Sequence, residues 1–141
     1  MRLIIIDLTN NLLTDEKSEA PRRGAGEMLR SLARRYRLAA FADTARSGPE
    51  VRSRLHDVGL GAFFQTVTTS ADLGAPLSVS AVRHMAAIAG APVGHVAVIS
   101  NNLPVVDSLQ LAGVVAVPAE RGRPVTDLPE ALAWIIAINS D

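Results

Sequence analysis

The chain has 141 residues, the size of one ordinary domain, and can bury a sizeable core without disulfide or metal staples. Cysteine is absent, which excludes disulfides, thiolate metal sites and cysteine nucleophiles. Fourteen basic residues balance fourteen acidic ones, leaving no excess positive charge to neutralise a nucleic-acid backbone.

The first apolar run, residues 3–6, is closed by Asp7 and is far too short for a signal peptide or a membrane span. A cytoplasmic protein with no nucleic-acid and no membrane partner is therefore expected, folded as a single domain over residues 1–141. Apolar runs of strand length recur at residues 2–7, 38–42, 65–69, 95–100 and 114–117. Their unbroken apolar character predicts strands covered on both faces. Between them lie helical patterns. Met28, Leu29, Leu32 and Ala33 form one apolar face. Ser47, with Pro49 in the first turn and Glu50 three residues on, marks a capped helix start. Val79, Val82, Met85 and Ala86 form a third face, closed by Gly90 as a C-terminal cap. A fourth helix opens near Asn102-Leu103-Pro104 and stops at Gly113; the last opens at Asp127-Leu128-Pro129-Glu130. Five βα units in succession predict a three-layer α/β/α sandwich around a five-stranded parallel sheet.

In such sheets ligands bind beyond the carboxyl ends of the strands, where strand order reverses. The segments at issue are residues 7–11, 43–47, 70–80 and 100–107. Residues 131–138 read Ala-Leu-Ala-Trp-Ile-Ile-Ala-Ile without a charge, and a helix apolar all round is expected to be buried on more than one side. Two readings of it stay open: a last helix packed on the sheet with Trp134 partly exposed, or an interface, such as a homodimer or a contact with a protein partner, anchored by Trp134. His56, His84 and His95 share no spacing that suggests a metal cluster or a base beside a nucleophile.

The segment Ile4-Ile5-Ile6-Asp7-Leu8-Thr9-Asn10-Asn11-Leu12-Leu13 resembles the first motif of the haloacid dehalogenase-like (HAD-like) hydrolase superfamily, apolar residues followed by D-x-D-G-T-L. The likeness runs through most of the chain, with residues 37–47, 68–80 and 95–113 in the places of the second, third and fourth motifs. It implies a Rossmann-like HAD fold with strand order 5-4-1-2-3. It also implies a capless member, because only residues 14–22 separate the first motif from its helix. The catalytic candidate that the resemblance gives is Asp7, the nucleophile that would form an acyl-phosphate with its substrate.

The other motifs depart from the family pattern. Thr9 stands where the family has its acid/base carboxylate, although ion-pumping ATPases of the superfamily also carry Thr there. At the second motif Ala42 takes the hydroxyl position and Asp43 the Asn, with Thr44 one residue later as a substitute; Asp43 and Thr44 are the phosphate-binding candidates. Leu77 takes the place of the third-motif lysine, and the only lysine in the chain is Lys17. Arg83 is the nearest later cation in sequence. In the fourth motif Ser100 or Asn101 replaces the first magnesium-binding Asp, and Asp107 is the sole carboxylate between Leu73 and Ala119. The metal candidates are thus Asp7, Asn101 and Asp107, a poor set for an ion that prefers charged oxygens.

These departures lead to a pseudo-phosphatase acting as a scaffold, regulatory or interaction subunit, with no cofactor, or magnesium if it is active. The alternatives are a slow magnesium-dependent phosphohydrolase working through Asp7, and a crevice reused for a non-phosphate metabolite. On the non-catalytic reading Asp7 is a relic carboxylate held by the amides of Leu8 to Asn11. Asp43 and Asp107 then serve as helix caps or bind loop amides.

Overall fold

The structure is a computed structural model that describes residues 2–9, 12–14, 20–119 and 124–138. Five strands, β1 (Leu3–Asp7), β2 (Arg37–Ala42), β3 (Thr66–Thr69), β4 (Val96–Ser100) and β5 (Val115–Pro118), form one sheet in the order β3-β2-β1-β4-β5. All pairings are parallel. This is the expected order 5-4-1-2-3 read from the other edge. Each expected strand lies within one residue of its observed limits.

The helices are α1 (Ala25–Ala33), α2 (Gly48–Asp57), α3 (Ser70–Leu73), α4 (Val79–Ala89), α5 (Leu103–Leu111) and α6 (Leu128–Ile138). Alternation along β1 sorts them into two layers. Ile4 and Ile6 pack with Met28, Leu29 and Leu32 of α1, Leu55 of α2 and Leu132 of α6. Leu3 and Ile5 pack on the opposite face with Val82 and Met85 of α4 and Val106 and Leu109 of α5. Burying each such aliphatic side chain contributes about 1.5–3 kcal/mol.

The expected caps form. The Ser47 hydroxyl accepts from the Glu50 amide, and Pro49 sits in the first turn of α2. Gly90 ends α4 at φ 69°, a left-handed conformation that costs glycine little. Three expectations change. Helix α3 is an addition, a single turn whose start is capped by the Thr69 side chain. Strand β3 is only partly buried over Thr66 to Thr68, because it lies at the sheet edge rather than inside it. Ala33 is exposed at the end of α1, so it does not join the buried face of Met28, Leu29 and Leu32.

The last helix is also corrected. Within this chain α6 fully buries Leu128 and Leu132 on one side, whereas Trp134 is 67% and Ile138 60% exposed. An uncharged sequence fixed its affinity for apolar surroundings, but only one layer of sheet is there to cover it. No helix of the described residues is long and apolar enough to cross a membrane.

Candidate functional site at the end of the central strand

Strand β1 lies between β2 and β4, and the chain leaves it toward β2 on one side and returns to β4 on the other. Its carboxyl end is therefore the switch point of the sheet, where a crevice is expected. Asp7 closes the strand there, in register with Phe41 of β2, and the following amide, Leu8 N–H, donates to the Phe41 carbonyl at 2.7 Å.

Asp7 is buried, with 2% of its surface exposed. The Thr9 amide donates to its Oδ1 at 3.0 Å, and the Ser100 hydroxyl donates to its Oδ2 at 2.8 Å. Strand alternation brings the last pair together: Val96, Val98 and Ser100 share a face of β4, as Leu3, Ile5 and Asp7 share a face of β1. The chain of hydrogen bonds continues outward. The Asn102 amide donates to Ser100 Oγ at 3.0 Å, and the Asn102 side chain caps α5 by accepting from the Val105 amide.

Burial raises the Asp7 carboxyl above its ordinary pKa of 3.8. Hydrogen bonds from Thr9 and Ser100 pull it down, and the Asp43 carboxylate pushes it up again. Among the described residues the charge that bears on this buried acid is of its own sign, and its effect is the smallest of these.

Thr9 and Asp43 meet through the backbone, the Asp43 amide donating to Thr9 Oγ1 at 3.1 Å. The Thr44 hydroxyl is used inside its own turn, accepting from the Arg46 amide at 3.3 Å. Its backbone is clamped to the start of α3: the Thr44 amide donates to Ser70 Oγ at 2.9 Å, and the Ser70 hydroxyl donates to the Thr44 carbonyl at 3.2 Å. A second tie lies beside it, the Gly48 amide donating to Asp72 Oδ2 at 2.8 Å, which sets a carboxylate at the N-terminus of α2. Ser70 and Asp72 were not singled out in the sequence. Their signal is position alone, just beyond β3. Thr9, Asp43 and Thr44 also line a groove of about 630 Å³ that runs past Arg46 and Arg54 toward Val51 of α2.

The remaining candidates separate. Ser100, rather than Asn101, reaches Asp7; Asn101 instead lines a cavity of about 180 Å³ with Arg22, Val117 and Leu128, on the α6 side of the sheet. Asp107 is exposed in the body of α5, and Asp43 is exposed in its loop. Neither caps a helix, the first of the two roles expected for them, because Ser47 and Asn102 hold those positions. Leu77 is buried in the core between the sheet and α4, and Arg83 is exposed on α4. Of the loop amides expected around Asp7, Thr9 supplies the bond while Leu8 serves the sheet. Asn10, Asn11 and Lys17 lie outside the described residues. Among the described residues no group of three or more His, Asp or Glu side chains is placed to hold a metal ion.

The fold is that of the HAD-like hydrolases. The chain is similar to an uncharacterized protein from Corynebacterium glutamicum, with a TM-score of 0.71 at 15% identity, over 99% of this chain and 95% of that one. It is similar to a haloacid dehalogenase-like family hydrolase from Streptococcus pneumoniae, with a TM-score of 0.65 at 10% identity, over 93% and 90% of the two chains. A third similar structure is 3-deoxy-D-manno-octulosonate 8-phosphate phosphatase from Moraxella catarrhalis, in complex with magnesium, phosphate and its sugar acid. There the TM-score is 0.54 at 20% identity, over 86% of this chain and 70% of that one. No protein-family model matches the sequence, and no curated protein does. At such identities the likeness establishes the fold.

Proposed function

We propose that this chain is a HAD-like domain whose phosphoryl-transfer chemistry is impaired or lost, and that it acts as a scaffold, regulatory or interaction subunit. The observation that carries the reading is the environment of Asp7. Its oxygens are engaged by a neutral hydroxyl and an amide, with no cation of the described residues among its partners. Attack by a carboxylate on a dianionic phosphoryl group needs cations to offset the repulsion between them. None of the described cations contacts Asp7.

The described residues around Asp7 do not fit magnesium. That ion takes charged oxygens in a near-octahedral set and gives up its waters reluctantly. Here Ser100 offers a hydroxyl, Asn101 lines a different cavity, and Asp107 is exposed on the body of α5. Leu77, in the place of the family's lysine, belongs to the core. The exposed Trp134 and Ile138 on α6 supply an apolar surface suited to a protein partner.

Two observations favour other readings. Asp7 with Thr9 retains a nucleophile at the switch point, which supports a slow magnesium-dependent phosphohydrolase working through Asp7. The groove past Arg46 and Arg54 supports a crevice reused for a non-phosphate metabolite. Hydrolysis of p-nitrophenyl phosphate with magnesium separates the first from the proposal. Wild type and Asp7→Asn are expected to release phosphate at the same background rate. A wild-type rate well above that of the variant would establish the hydrolase instead.

A further inference from the structure

Strand β5 is an edge of the sheet, and an edge offers its outward N–H and C=O groups to any extended chain that reaches it. The parallel ladder fixes which groups those are. The Ala119 amide donates to the Ser100 carbonyl of β4 at 2.8 Å, and alternate residues of a strand turn to opposite neighbours. Residues 115, 117 and 119 therefore face β4, and residues 114, 116 and 118 face away.

The ladder is interrupted at each of the three outward positions. The Val114 N–H is taken by the Leu109 carbonyl of α5 at 3.0 Å. The Ala116 carbonyl accepts from the Gln110 side chain, through Nε2, at 2.9 Å. Pro118 has no N–H to offer. Two of these interruptions belong to the backbone itself, to the turn out of α5 and to a proline. The third is a side chain laid across the edge. A strand added beside β5 would have to donate to the Ala116 carbonyl from the place that the Gln110 carboxamide holds. That group carries the donor and acceptor of a peptide unit, so it satisfies the carbonyl as a sixth strand would and fills the same space.

We infer that Gln110 is an edge guard, an autoinhibitory contact by which the chain closes the strand-addition site on its own β5. It excludes pairing by an extended segment at this edge and leaves this side of the sheet to contacts made through side chains. The inference stands independently of the chemistry at Asp7. The outward N–H left in the strand is that of Ala116, and it supplies the control for the test.

Gln110 is exposed, so Gln110→Ala lifts the guard without opening a core cavity. In sedimentation over a concentration series the variant is expected to self-associate about tenfold or more tightly than wild type, with unchanged circular dichroism. Its Ala116 amide should gain protection from hydrogen exchange as concentration rises. The double variant Gln110→Ala, Ala116→Pro removes the outward N–H as well, a change that an edge position tolerates, and should return to the wild-type level of association. Equal association of Gln110→Ala and wild type overturns the inference. So does an increase that survives Ala116→Pro, or one that leaves the Ala116 amide unprotected. Faster exchange at the Val106 and Leu109 amides of the dilute Gln110→Ala variant would assign the side chain to holding α5 in place, and that too overturns it.

Discussion

The Ser100 hydroxyl donates to Asp7 Oδ2 at 2.8 Å, joining the ends of two neighbouring strands 93 residues apart in sequence. This bond places a proton donor against the one carboxylate at the switch point of the sheet. It therefore bears on the stability of the site.

Asp7 contributes a pH dependence of definite sign. Its folded pKa lies above the ordinary 3.8, so between 3.8 and the folded value the native chain binds more protons than the unfolded one. The stability that the protonated form contributes is fully present below 3.8 and is lost as pH rises through the folded value. Asp7→Asn removes the charge but keeps both bonds, its carbonyl accepting from Thr9 and its amide donating to Ser100 Oγ. The variant should melt at a higher temperature than wild type at neutral pH, and the gap should close toward pH 3.8. Thermal melts across pH test this, and a lower melting temperature at pH 7 would count against it.

Ser100→Asp sets a second carboxylate against the first in a buried site. Without metal the variant should lose on the order of 3 kcal/mol, the cost of an uncompensated buried charge. Millimolar magnesium should restore much of that loss, whereas wild type should show no magnesium-dependent change in melting. Denaturant titrations with and without the ion make the comparison.

The clamp between Thr44 and Ser70 predicts a local effect. Ser70→Ala deletes one donor and one acceptor, a loss of about 1–2 kcal/mol. It should also speed hydrogen exchange at the Thr44 amide, leaving the β1 amides protected. Uniform acceleration across the sheet would mean that the clamp is not local.

Gly48 is required by space. A Cβ there would lie 2.6 Å from the Val67 carbonyl oxygen and 2.8 Å from Asp72 Oδ2, and the carbonyl cannot yield. Gly48→Ala is expected to cost about 1–3 kcal/mol in urea unfolding. The loss should not add to that of Asp72→Ala, since the two share one contact.

The strand and helix content of this chain is written in its apolar spacing and its caps. Ile4 and Ile6 alternate with Leu3 and Ile5 and so fix two faces of β1, and Ser47 with Pro49 fixes the start of α2. What misled was edge position: the partial burial of β3 and the bare side of α6 depend on which elements are left to cover them. Asp107 and Asp43 likewise took no cap, because a hydroxyl or amide nearer each helix start was already there.

Sequence alone thus determined the order of the βα units, the place of Asp7 at the end of the first strand, and the lack of a lysine beyond residue 17. These are properties of local spacing and of counting, and no packing changes them. Tertiary structure decided that Ser100 rather than Asn101 meets Asp7, that burial raises the pKa of its carboxyl, and that Trp134 stands in the open. Each depends on which side of a strand or helix faces a neighbour distant in the chain, and that is settled only when the sheet is assembled.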